Sequence, residues 1–220
     1  MTGTLDARPI DALLDSFAHG RPVVLTGVGD AALVLPAAEA ATAALAFVVR
    51  HTSGFLGVAL PADRCDALGL PPMRPSFRRG GDLGWCVAVD AATGVSTGIS
   101  AADRAETIRR LADRGTRPED LCRPGHVLPY AVRPRGILSR PAIPEAAVEL
   151  CLLAGRPAAA AFAALVSPED PTRMAAPDEA AAFAAGHGLP VLDSASVRTR
   201  VRPLGRCEPP WWTWAEPDSP

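Results

Sequence analysis

The apolar segments of this chain are short, and a glycine or a proline closes almost every one. The 220 residues include 23 prolines and 19 glycines. Proline ends a helix or a sheet ladder, and glycine favours the turns between elements. No long helical array or continuous barrel strand fits that punctuation. The spacing predicts helices over Ile10–His19, Ala37–Arg50 and Asp63–Leu68, then from Ser100 to about Asp113, from Pro144 to Leu153 and over Asp178–Ala185. Apolar or alternating runs predict strands at Pro22–Thr26, Leu33–Leu35, Phe55–Leu60, Trp85–Asp90, Pro129–Val132 and Pro190–Leu192. Ala158–Val166 suits either a helix or a buried strand. Ser100 with Asp103 three residues on forms a variant capping box. Helices mixed with short strands indicate an α+β or α/β domain.

Composition removes whole classes of chemistry. All 22 basic residues are arginine, so a lysine Schiff base, a lysine-anchored pyridoxal phosphate and a P-loop are excluded. Asparagine and glutamine are absent too. Net charge is −2 and the pI is near 6.1, which argues against nucleic acid and anionic membranes as partners. No apolar run reaches membrane-span length, and the N-terminus lacks a secretory pattern. A cytoplasmic location is therefore expected. Five widely spaced cysteines without a C-x-x-C pair read as reduced thiols.

Three stretches carry a family resemblance. Arg50-His51-Thr52-Ser53-Gly54 looks like R-H-G-S-G at a helix end. Thr97-Gly98-Ile99-Ser100-Ala101-Ala102-Asp103-Arg104, followed by Thr107, resembles T-G-V-S-A-A-D-R-x-x-T. Arg123-Pro124-Gly125-His126-Val127-Leu128-Pro129 resembles R-P-G-H-V-F-P, and Leu153-Ala154-Gly155 falls at an L-A-G. In this order the motifs resemble 3,4-dihydroxy-2-butanone 4-phosphate synthase over roughly residues 10–195. The resemblance implies an α+β fold with a mixed sheet covered by helices, over residues 1–200, with a Pro- and Trp-rich tail at 201–220. It also implies a homodimer with active sites at the subunit interface. The reaction it implies takes ribulose 5-phosphate through an enediol to lose formate, with a divalent metal polarising the oxygens.

Several of the family's functional residues are replaced. Aligned from Pro36, the substrate arginine of the family's acidic loop becomes Gly27, its metal-binding glutamate Val28 and its final aspartate Ala32. A two-residue shift would restore Gly29-Asp30 to the family's G-D but not the glutamate. The second metal ligand, a histidine, becomes Ile143, and the neighbouring phosphate-binding threonine becomes Pro144. The late catalytic glutamate maps onto Ala164, and a strand cysteine onto Ala59. A hard cation needs oxygen or imidazole donors, so no metal and no other cofactor is expected.

A polar half-site survives. His126 is the candidate acid or base, since imidazole suits proton transfer near neutral pH. Arg140 is the candidate anchor for an anionic small molecule, next to a helix N-terminus that favours anions. Arg50, His51, Ser53, Asp103, Arg104, Thr107 and Glu145 complete the candidate binding set. Each has a plain structural alternative: a turn histidine, a surface ion pair, a helix cap, a helix-end cation. The Arg78–Arg79 pair reads as solvated loop, and the tail tryptophans as packing against a subunit surface. Taken together, these replacements lead us to expect a metal-independent lyase, isomerase, cyclase or condensing enzyme of specialised metabolism, outside the riboflavin pathway. The alternative is a non-catalytic binding or scaffolding homologue.

Overall fold

A computed structural model describes residues 7–27, 31–74 and 84–201. Val28, the Arg78–Arg79 pair and the tail tryptophans lie outside the described residues.

The elements run α1 (Ala7–Ala18), β1 (Val23–Thr26), β2 (Ala31–Pro36), α2 (Thr42–His51), β3 (Gly57–Pro61), α3 (Ala62–Ala67), β4 (Val89–Ala91) and α4 (Ala101–Ala112). They continue through β5 (Leu121–Val132), α5 (Gly136–Ser139), α6 (Ile143–Leu153), β6 (Ala160–Ala164), α7 (Pro177–Gly186), β7 (Val191–Asp193) and α8 (Ser194–Val201). One mixed sheet takes the strands in the order β4-β5-β3-β6-β2-β1-β7. β3 pairs parallel to β5 and antiparallel to β6, while β1 pairs antiparallel to β2 and parallel to β7. This is the α+β arrangement expected. No helix among the described residues is long and apolar enough to cross a membrane.

Helices cover both faces of the sheet, so the inner strands are apolar without alternation. The two faces still separate by residue parity. Leu33 and Leu35 of β2 pack with Leu45 and Val48 of α2, Ile108 and Leu111 of α4 and Phe183 of α7. Ala32 and Val34 pack instead with Phe17 of α1, Val148 and Leu150 of α6 and Val197 of α8. The undecided alanine run is resolved as strand β6. It lies between β2 and β3, where small side chains admit helices on both sides.

Three expectations need correction. The single helix over Ala37–Arg50 is a 3₁₀ turn at Ala37–Glu39 followed by α2. The break leaves the Ala40 carbonyl outside α2, where it accepts from Arg109 Nη1 at 2.5 Å. Trp85 and Cys86 form isolated bridges, to Tyr130 and Pro72, and β4 begins only at Val89. The expected Pro129–Val132 strand extends back to Leu121, because β5 pairs with β4 beyond a register shift at Val89/Asp90. The sequence also hid α5 and α8, which lack a clear apolar period.

Candidate active site

Five of the mapped positions meet in one cavity. Gly27, Ala32, Ile143, Pro144 and Ala164 come from the end of β1, from β2, from the start of α6 and from β6, and all line a cavity of about 500 Å³. Arg140, just before α6, lines it too. Its Nη1 donates to the Tyr130 hydroxyl at 2.5 Å and lies 3.9 Å from Glu145 Oε1. Glu145 is fully buried, and neither carboxyl oxygen has a hydrogen-bond partner among the described residues. Burial pushes its pKa above the usual carboxylate range, against the weaker pull of Arg140 and Arg133. Burial, with Glu145 nearby, likewise raises Tyr130. Tyr130 is the chain's single tyrosine, and nothing in the motifs had singled it out.

His126 forms a second cluster. Asp90 accepts from the His126 backbone N–H at 2.9 Å and meets its Nδ1 at 2.7 Å. An ionised carboxylate can only accept, so Nδ1 carries the proton and neutral His126 presents Nε2 as an acceptor. The imidazole is 41% exposed. Gly98 makes the pairing possible: a Cβ there would lie 2.0 Å from Asp90 Oδ2 and 2.7 Å from His126 Nδ1. Asp90 is a functional candidate that sequence reasoning missed; its one signal was its place at the end of an alternating run.

Asp103, Arg104 and Thr107 support this cluster from α4. Asp103 accepts from Ser96 and from the Gly98 N–H, holding the loop that carries Gly98. Those bonds, led by the Ser96 hydroxyl, lower its pKa. Thr107 Oγ1 accepts from the Ala91 N–H of β4 at 2.9 Å and donates to the Asp103 carbonyl. Arg104 donates to the Gly54 carbonyl at 3.1 Å and is buried. His51 packs into a ring cluster with Phe47, Phe183 and His187. Arg50 and Ser53 are exposed, and neither lines the cavity among the described residues.

Among the described residues the structure does not bring His126 and Arg140 into one cavity: Arg140 lines the cavity of about 500 Å³ and His126 does not. His126 is four residues before Tyr130 on β5, about 13 Å along a strand. A separate cavity of about 410 Å³ is lined by Cys65, Cys86, Arg133 and Ser139, among others, and holds none of the mapped positions. Contact with Cys86, together with burial, keeps the Cys65 thiol well above its ordinary range.

The sequence profile of 3,4-dihydroxy-2-butanone 4-phosphate synthase matches residues 11–199. The chain belongs to that family. It is 45% identical over 195 residues to riboflavin biosynthesis protein RibBA of Salinispora arenicola, covering 86% of this chain and 45% of the relative. It is 39% identical over 192 residues to the RibBA of Nocardia farcinica, covering 86% of this chain and 46% of that protein. The chain therefore spans about half the length of these curated relatives. The fold matches a crystal structure of 3,4-dihydroxy-2-butanone 4-phosphate synthase in complex with two magnesium ions. The TM-score is 0.80 at 34% identity, covering 90% of this chain and 98% of that one.

These findings overturn part of the sequence reading. A metal-independent enzyme of specialised metabolism, outside the riboflavin pathway, was expected from the replaced residues. Relatives this similar over most of the chain are named for riboflavin biosynthesis, and the family is enzymatic. The reading failed because it weighed a few replaced positions above identity spread along the whole domain. The donor set still bears on the metal the family implies. Among the described residues no group of three His, Cys, Asp or Glu side chains could hold a metal ion. A Cβ on Gly27 would touch Ile143 Cγ1 at 3.4 Å, so these two positions face each other with hydrocarbon only. The described residues do not fit a divalent cation.

Proposed function

We propose that this chain serves riboflavin biosynthesis as a 3,4-dihydroxy-2-butanone 4-phosphate synthase-type domain whose substrate is ribulose 5-phosphate. The observation that supports it is that the positions equivalent to the family's site, though replaced, converge on one cavity that Arg140 still lines. The guanidinium fork suits a phosphate, and the α6 N-terminus beside it adds a favourable dipole. Tyr130 holds the fork in place through the 2.5 Å bond.

His126 enters the reaction through a homodimer in this reading. A two-fold axis makes any contact between two patches occur twice. The exposed imidazole of one protomer then reaches the Arg140 cavity of its partner, where Nε2 accepts a proton next to the substrate carbonyl. Asp90 steadies the imidazolium that results.

The test is calorimetry and formate release with ribulose 5-phosphate, with and without magnesium. Saturable binding with formate release is the expected outcome, and Arg140→Gln weakens binding about ten- to a hundredfold, as for a lost charge-assisted bond. Absence of binding, or unchanged affinity in Arg140→Gln, overturns the proposal.

A further inference from the structure

Four aromatic rings form one continuous wall of the Arg140 cavity. Phe55 meets Trp85 edge-on with centroids 5.2 Å apart, and Trp85 meets Tyr130 edge-on at 5.0 Å. Trp85 stacks on Phe162 at 5.8 Å and 30°, and Phe162 meets Tyr130 at 6.2 Å. The wall is built in: a Cβ on Gly57 would lie 2.6 Å from the Phe162 ring, so only glycine lets that ring lie where it does. At the rim, Phe55 is 53% exposed and Met174 46%. Ile143, Pro144 and Ala164 line it too, with Ala164 two residues from Phe162 on β6. Among the described lining residues the polar side-chain groups are those of Arg140 and Tyr130 and the indole N–H of Trp85, and the Tyr130 hydroxyl accepts from Arg140.

We propose that this cavity binds a planar aromatic ring carrying a phosphate or another oxyanion, with the ring against Trp85 and the anion at Arg140. An aromatic face meets other rings in stacked or edge-on contact and leaves no polar group unpaired against Ile143 and Ala164. The cavity volume, about 500 Å³, falls in the range of small-molecule sites. The occupant is therefore bipolar: flat and apolar at one end, anionic at the other. Such a molecule competes with the sugar phosphate for Arg140. This inference shares with the proposed function only the reading of Arg140 as the anion anchor.

Isothermal titration of the full chain with 1-naphthyl phosphate, ethyl phosphate, 1-naphthol and ribulose 5-phosphate tests it. Naphthyl phosphate is expected to bind at one site per chain, at least tenfold more tightly than either ethyl phosphate or naphthol. Phe55→Ala, at an exposed ring, is expected to weaken naphthyl phosphate several-fold and leave ethyl phosphate unchanged. Trp85→Leu does the same more strongly, with thermal melts to confirm folding. Arg140→Gln weakens both phosphates. Equal affinity for naphthyl and ethyl phosphate overturns the inference, as does naphthyl phosphate binding that Arg140→Gln leaves intact. If ribulose 5-phosphate fails to bind while naphthyl phosphate binds as expected, the inference stands and the proposed function falls. The converse pair of results rejects the aromatic ligand and leaves the proposed function in place.

Discussion

Glu145 sets the electrostatics beneath Arg140. Its carboxyl is fully buried and without a hydrogen-bond partner among the described residues, so ionisation there is costly. Its folded-state pKa is raised by burial. The folded protein therefore binds more protons than the unfolded one between the ordinary carboxylate pKa and the raised value. Stability contributed by the neutral carboxyl is complete below the ordinary value, near pH 4, and is lost as pH rises toward the raised one. Glu145→Gln removes this loss. It is expected to raise stability near pH 7 and to change little below pH 4, read by melts from pH 3.5 to 8. A variant less stable than the parent at pH 7 would show that the carboxylate is held ionised by Arg140 instead.

At the scale of elements, α4 decides where His126 sits, through the Gly98 loop and β4. Ser100 Oγ accepts from the Asp103 N–H at 3.0 Å and caps the helix. The Asp103 carboxylate pins the Gly98 loop, and Thr107 pins β4 next to Asp90. Both residues are buried, so the motif reads in the structure as scaffolding for the Asp90–His126 pair. Thr107→Val keeps the volume but leaves the Ala91 N–H without its acceptor. The expected cost is about 1 to 3 kcal/mol in urea unfolding. With the proposed activity in hand, kcat falls more than KM changes, because the general base is displaced while the Arg140 cavity is untouched. Ser100→Ala is expected to cost about 1 kcal/mol as a lost cap, with no such kcat effect.

For the whole molecule, the separation of His126 from Arg140 is the fact that most needs a second subunit. The homodimer proposed above makes a sharp forecast. His126→Ala alone should lower turnover by about two to four orders of magnitude with little change in KM. Mixed with Arg140→Gln and re-associated, half the dimers are hybrids, and in each hybrid one of two sites is intact. Assayed at substrate well below KM, where both variants are weak, activity should then recover to about a quarter of that of the unmutated protein. A mixture no more active than its parts would place both residues in one protomer's site. Sedimentation of the untreated protein as a monomer at micromolar concentration would remove the dimer altogether.

How much of this was legible beforehand varies with the range of the interaction. The helix at Ala101–Ala112, its Ser100 cap and the strand near Val23 follow from local spacing, because caps and periodicity act within one or two turns. The family, too, was readable from three ordered motifs. The positions replaced by Gly27, Ala32, Ile143, Pro144 and Ala164 were named from the chain, and the fold gathers all five into one cavity. The pathway was misjudged from those same positions, since side-chain losses at a site do not cancel similarity spread over a whole domain. Other features depend on partners far along the chain. The fate of Ala160–Ala164 was settled by β2 and β3 on either side. The Tyr130 clamp on Arg140, the Asp90 partner of His126 and the aromatic wall join residues that no local pattern connects. Sequence spacing reports on neighbours within a few residues; hydrogen bonds and ring contacts between elements exist only once the sheet and its helices have packed.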